Sequence, residues 1–434
     1  MRHPFSLMSW LLIGLVAAGI RGCYIQPAPD TAWNALTYDA FGYYMYLPAA
    51  LIYGDMTDPD WIEPMHARYR VKGGDKLYQT IVQADGRHVY KYLGGVALMQ
   101  LPFFLCAHGL APVLGFPADG FSAPYQGAVI LASFFYGLLG LWVLRRVLLR
   151  YYSDRITAAV LVLITLATNW VQYIAVDGAM SHIYIFPLYA LILHLTRMWH
   201  EHPRSVVAWA GGWVIGLATI CRPTELIMLF IPLLWGLHTR EAARAKWALV
   251  QQHLPQAGWA LAGGLMGLLP QLVYWHYATG HFLFDVGSKW NFLSPWIRVL
   301  TGFEKGWFVY TPVTILFVVG FWYMRGQPFR VAVITFCLLN FWIVTAWSDW
   351  RYGASYSARA LVQSYPVLAL ALAGLLTHIA RTRWRLPVAV LAGYLLIVNL
   401  FQIYQYNAGI LRYDENSLEY YRSIYLNPGA KAYE

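Results

Sequence analysis

The stretch that decides the fold is TYDAFGYYMYLPAALIYGD, residues 37–55. It follows the first long apolar run, Leu7–Ile20. It holds five tyrosines and one proline, with carboxylates only at Asp39 and Asp55. Tyrosine belongs at a membrane interface. A carboxylate placed where a chain has just left the bilayer needs a reason. On a helix, Asp39, Tyr43 and Tyr46 share one face, at i, i+4 and i+7. A carboxylate among phenols in a low-dielectric groove can act as a general base or a metal ligand. The plainer reading makes Thr37 or Asp39 the cap of the helix that follows, although one helix start does not need both.

The rest of the chain sets this stretch in a membrane. Of 434 residues, 59% are hydrophobic and 12% charged, with a mean hydropathy of +0.45; soluble domains carry about 25% charged residues. This composition implies an all-α polytopic protein forming a single integral membrane domain over 1–434. Eleven spans are expected, at about 7–22, 126–144, 156–174, 182–197, 205–221, 223–238, 256–278, 309–324, 331–347, 360–378 and 386–405. Leu7–Ile20 behind Arg2 has the outline of a signal peptide. No small-residue cleavage site follows, and it reads as a retained first span. The four cysteines are scattered, without a CxxC, and give neither a metal site nor a disulfide framework. No Asn-x-Ser/Thr sequon occurs, and a bacterial inner membrane is the simplest home.

The formal charge of +10 reads as orientation. With the N-terminus inside, each even-numbered span ends at a basic cluster: Arg145, Arg146 and Arg150; Arg197 and Arg204; Arg240, Arg244 and Lys246; Arg325 and Arg330; Arg381, Arg383 and Arg385. Fifteen basic residues then face three acids inside, and 16 face 18 outside. This is the positive-inside pattern, with the C-terminus outside. It argues against nucleic acid as a partner. The soluble mass falls on the outer, periplasmic face: a first loop over 23–125 and a C-terminal tail over 406–434. Charge parity places 39–53 and 91–111 along the outer interface as two juxtamembrane helices. The short inner loops leave no room for a nucleotide-dependent site, so any activated substrate is membrane-borne. Gly212-x-x-x-Gly216 and Gly263-x-x-x-Gly267 read as close helix packing.

Further ionisable groups gather at the expected outer ends of spans. Lys91, at the start of the second interfacial segment, is a candidate phosphate ligand or an interfacial anchor. Asp177 and His182 flank the turn DGAMSH. In CRPTE, Arg222 and Glu225 either pair with each other or serve a ligand. Residues 346–366 set Asp349, Arg351 and Arg359 among Trp347, Trp350, Tyr352 and Tyr356. Arginine forks match phosphate oxygens, and aromatic faces stack on sugar rings or lipid. Lys305 lies in a similar aromatic setting. Together these groups suit a phosphorylated lipid head group carrying a ring-shaped polar cargo.

The order of these features resembles the GT-C superfamily of membrane glycosyltransferases, over about residues 8–370. DAFGYYMYLPA resembles the Asp-x-x-x-Tyr opening of aminoarabinose transferases and protein O-mannosyltransferase relatives. KYLGGVALMQLPFF is similar to their second juxtamembrane segment. DGAMSH, CRPTE, KGWFVYTP and WSDWRYGASYSARAL resemble later stations of polyprenyl-phosphate-sugar transferases. The resemblance implies transfer of a sugar from a polyprenyl-phosphate donor to a glycan, lipid or protein acceptor in the periplasm. It makes Asp39 the essential acid, as base or as ligand of a divalent metal such as Mg or Mn. It makes Lys91, Arg222 and Arg359 candidates for the donor phosphate, with Asp349 and Arg351 beside them. Tyr43, Tyr46, Asp177, His182, Glu225 and Lys305 fall in supporting positions. Three other readings stay open: a non-catalytic assembly subunit of the same fold, a glycan polymerase or ligase, and a lipid or sugar transporter.

Overall fold

The computed structural model describes residues 3–24, 35–69 and 77–432. Among them the chain is mostly helical, with one hairpin of Thr80–Val82 and His88–Tyr90. Every stretch expected to span is helical. Six helices are long and apolar enough to cross a membrane: Pro4–Cys23, Gly95–Val113, Ala123–Tyr151, Pro255–Thr279, Arg359–Ile379 and Arg385–Asn407. This is an integral membrane protein. Gly95–Val113 is in that set, although charge parity puts residues 91–111 at the interface.

Several expected spans are broken, and the sequence gives the reasons. Arg222 precedes Pro223 and is extended (φ −153°, ψ 126°), because a residue before proline avoids the α region. The helix Ser205–Cys221 therefore stops there, and the chain resumes as a 3-10 helix, Pro223–Leu229, and a short α-helix, Phe230–Leu234. Pro312 has the same effect between Trp307–Tyr310 and Thr314–Val319. The loop after 238, expected inside, is itself a helix, Arg240–Gln252. Its Lys246 Nζ donates to the carbonyls of Pro232, Leu233 and Trp235, closing the end of the preceding helix.

Two packing devices set the frame. The glycine pairs act as expected: a Cβ on Gly212 would lie 1.8 Å from Ala260 O, and one on Gly263 would lie 2.0 Å from Trp209 O. Ser205–Cys221 and Pro255–Thr279 thus touch backbone to backbone. At the centre, every residue from Tyr365 to Leu375 is buried. This Ala/Leu helix is apolar all round and is enclosed on all sides. It continues the 3-10 helix Arg359–Ser364, so Arg359 stands at the end of the most constrained element in the molecule.

Candidate functional site

Asp39 lies in the helix Tyr38–Tyr44. Thr37 is its N-cap but makes no side-chain cap bond, and the Asp39 carboxylate bonds elsewhere. Neither residue plays the capping role that the sequence left open. Asp39 Oδ1 accepts from Tyr92 Oη at 2.6 Å and from Tyr78 Oη at 3.0 Å. Its Oδ2 accepts from an Arg359 terminal nitrogen at 2.7 Å. The pair is sheltered, with Asp39 22% and Arg359 11% exposed. Burial raises the Asp39 carboxyl. The Arg359 charge and the three hydrogen bonds outweigh it and hold the group below its ordinary range. Burial and the Asp39 charge push both phenols up, so they remain donors.

The hairpin explains how two distant tyrosines reach one oxygen. Thr80 pairs with Tyr90 in the antiparallel register, and Lys91 N donates to Gln79 O, extending the ladder. Tyr78 and Tyr92 therefore flank its open end. Gln79 Nε2 donates to Tyr38 O at 3.1 Å, tying the hairpin to the helix of Asp39. Tyr92 is the common neighbour of the three residues expected on one face. It bonds Asp39, meets the Tyr43 ring edge-on at 4.8 Å, and accepts from Tyr46 Oη through its carbonyl. Gly42 makes this possible: a Cβ there would lie 2.3 Å from the Tyr92 ring.

Arg359 arrives on a tightly held loop. Tyr352 and Ser357 have φ of 55° and 56°, a left-handed conformation that is costly for side chains other than glycine. Lys305 holds the loop, its Nζ donating to the carbonyls of Arg351, at 3.0 Å, and Gly353. Burial pulls that lysine down to about 8.

A second cluster adjoins the first. Tyr43 Oη accepts from Ser181 Oγ at 3.1 Å. Arg222 lies with one terminal nitrogen 3.4 Å from His182 Nδ1, and its charge reaches Tyr43. Arg222 and Glu225 do not pair; Glu225 bonds Tyr189 and Gln363. Asp177 accepts from Gln172 Nε2 at 3.0 Å. Burial raises its carboxyl, against that bond and the charges of Arg359 and Arg21.

Four candidates stand apart from the Asp39 carboxylate. Lys91 is half-buried and forms no ion pair among the described residues. Asp349 is exposed. Arg351 is committed to Glu304 at 3.0 Å and Asp414 at 3.3 Å. Lys305 serves the loop of Arg359. Sequence reading missed Tyr78, Tyr92, Gln363 and Tyr189. Tyr92 had a signal, adjacency to Lys91, and Gln363 had another, one turn beyond Arg359. Tyr78 had none.

Among the described residues, no three His, Cys, Asp or Glu side chains converge as metal ligands. Both Asp39 oxygens face donors, one of them a guanidinium. That donor set does not fit a divalent cation.

The chain was compared with known proteins. No family model matches it, and neither does any curated sequence. Among solved structures it is similar to ArnT from Cupriavidus metallidurans bound to undecaprenyl phosphate, with a TM-score of 0.54 and 14% identity over 97% of this chain and 67% of that one. It is also similar to AglB, the archaeal oligosaccharyltransferase from Archaeoglobus fulgidus, in complex with an inhibitory peptide and a dolichol-phosphate. There the TM-score is 0.51, with 11% identity over 95% of this chain and 57% of that one. The likeness shows a shared fold, of the GT-C type. The likeness covers 97% of this chain against the first and 95% against the second. This chain spans about two thirds of ArnT and 57% of AglB.

Proposed function

We propose that this chain transfers a sugar from a polyprenyl-phosphate donor to an acceptor hydroxyl at the periplasmic face of a bacterial inner membrane. One observation carries the reading: a sheltered carboxylate, Asp39, is paired to Arg359 beside a second arginine, Arg222, that has no ion pair among the described residues. Transfer needs a base for the acceptor and cations for the leaving phosphate, in a dry site. In a single displacement the acceptor oxygen bonds the anomeric carbon and its proton passes to Asp39. The bond from that carbon to the phosphate oxygen breaks, and the lipid phosphate leaves with the electron pair. Arg359 and Arg222 balance its charge. In the resting site Asp39 is held by three donors and is a weak base. A donor phosphate that draws Arg359 away strengthens it. No step is routed through a metal.

The topology behind this reading, eleven spans with the N-terminus inside and the site outside, is part of the proposal. Its support is the charge distribution along the loops.

The test is transfer of radiolabelled sugar from polyprenyl-phosphate donors by purified protein, with Asp39→Asn alongside. Wild-type transfer that Asp39→Asn abolishes supports the reading. Full activity in the variant removes Asp39 from the chemistry. No transfer from any of several donors favours the assembly-subunit reading, which has one observation of its own: among the described residues no second acid stands beside Asp39.

A further inference from the structure

Arg222 is half-buried, yet among the described residues it makes no ion pair. A partner stands three residues on. Glu225 N donates to Arg222 O at 3.0 Å at the start of the 3-10 helix Pro223–Leu229. Side chains three apart eclipse on such a turn, which is favourable spacing for a pair. The pair does not form because the Glu225 carboxylate is buried and turned away. Its Oε2 accepts from Tyr189 Oη at 2.5 Å, and its Oε1 accepts from Gln363 Nε2 at 3.0 Å and from Thr224 Oγ1 at 3.2 Å.

Gln363 passes the constraint on. With its NH2 facing Glu225, its oxygen faces His182 Nδ1 at 2.7 Å. An amide oxygen only accepts, so Nδ1 carries the hydrogen. That nitrogen is then closed to Arg222, which sits 3.4 Å away. The buried chain Tyr189–Glu225–Gln363–His182 thus withholds the Glu225 carboxylate and the His182 Nδ1 lone pair from the guanidinium. We infer that this chain keeps Arg222 open for an anion. Gln363 and Tyr189 are positioning residues that hold Glu225 off Arg222, and the anion taken is the phosphate of a polyprenyl-phosphate lipid. The identity of the lipid rests on the transferase reading; the state of Arg222 does not.

The experiment compares wild type, Gln363→Ala, the near-isosteric Tyr189→Phe, and the double variant Gln363→Ala/Glu225→Gln. Undecaprenyl phosphate in detergent micelles is the probe, with inorganic phosphate alongside. Wild type is expected to bind the lipid. Gln363→Ala frees Glu225 to pair with Arg222 and weakens binding about tenfold, the scale of one hydrogen bond to a charged group. Tyr189→Phe weakens it less. The double variant regains most of the loss, because no carboxylate remains to pair; a merely loosened fold would not be rescued. A second readout needs no lipid: phenylglyoxal modification of Arg222, followed by mass spectrometry. It is expected to be fast in wild type, slow in Gln363→Ala and fast again in the double variant. Equal rates in wild type and Gln363→Ala overturn the inference, whatever binds. If the modification pattern holds but no lipid binds, the lipid assignment and the transferase reading fall and the guarded state of Arg222 stands. Inorganic phosphate binding as tightly as the lipid overturns the lipid assignment alone.

Discussion

Gly42→Ala tests the geometry around Asp39 at its most constrained point. The new methyl would sit 2.3, 2.7 and 2.9 Å from Cδ2, Cε2 and Cγ of Tyr92. Carbon atoms rest about 3.5–4.0 Å apart, so the ring has to withdraw by roughly 1.2 Å or more. Tyr92 Oη stands 2.6 Å from Asp39 Oδ1. The same displacement takes that bond to about 3.8 Å, beyond hydrogen-bond range. Losing a hydrogen bond to a charged group costs about 1.5–3 kcal/mol, and the overpacking adds about 1–3 kcal/mol. Tyr92→Phe removes the same bond without the clash. Thermal unfolding of the purified protein in detergent is expected to rank wild type above Tyr92→Phe, and Tyr92→Phe above Gly42→Ala. Both variants raise the Asp39 carboxyl, because the Arg359 charge and the hydrogen bonds of Tyr92, Arg359 and Tyr78 outweigh burial only together. The acid limb of transfer activity therefore moves to higher pH in both. A Gly42→Ala protein with the melting temperature and acid limb of wild type would refute the stacking of Tyr92 on this helix, and with it the account of how Asp39 is held.

Asp39→Asn leaves a buried Arg359 without its carboxylate, its Nε having no partner among the described residues, and is expected to cost about 3–5 kcal/mol. Arg359→Gln costs less, since Asp39 keeps two phenol donors, and a double-mutant cycle of melting curves should show the double variant less destabilised than the sum. Gly212→Ala drives a methyl to 1.8 Å from Ala260 O, a backbone atom that cannot turn aside. It should abolish the monodisperse peak in size exclusion, while Gly258→Ala, with nothing within 4 Å, gains about 1 kcal/mol of helix propensity. Asp177 is raised by burial, so its folded-state pKa lies above the unfolded one. The penalty is absent below the ordinary value of 3.8, grows as pH rises through it, and is complete only above the raised folded value. Asp177→Asn should therefore raise the melting temperature at pH 7, and the gain should vanish as pH falls below that ordinary value.

The helices were legible because a bilayer leaves the chain few options. Long apolar runs and loop charges mark where helices lie, and each expected span is helical. Their interruptions were legible in part: Pro223 and Pro312 break the chain where proline chemistry requires. The hairpin was not, because Thr80–Val82 and His88–Tyr90 are too short to carry a pattern against their polar surroundings. That omission hid half of the site. Asp39 was found because a carboxylate at a membrane exit is expensive, and Arg359 because an arginine among aromatics is conspicuous. Tyr78 and Tyr92 could not be found by cost: a tyrosine at an interface is ordinary, and only the strand register brings these two together. Arg351 shows the converse. It has the same sequence signal as Arg359, but it points to Glu304 and Asp414 at the surface, and no local pattern separates the two arginines.

The two arginines differ in a way that would order the proposed reaction. Arg359 needs Asp39, since without it a buried guanidinium would stand alone; Arg222 needs an anion that the resting protein withholds. A donor phosphate entering between them would satisfy Arg222 and compete with Asp39 for Arg359. Withdrawing Arg359 removes the chief influence that lowers the Asp39 carboxyl, and the phosphate adds negative charge nearby. Both effects raise its pKa, so donor binding converts a masked carboxylate into a better base. The acid limb of kcat/KM reports the free enzyme, and that of kcat reports the donor-bound complex. The limb of kcat is therefore expected at higher pH than the limb of kcat/KM for the donor. In Arg359→Gln only the phosphate charge is left to act, and the gap between the two limbs should narrow. Coincident limbs in the wild type would mean that Arg359 stays on Asp39 throughout, and Asp39 could not then be the base.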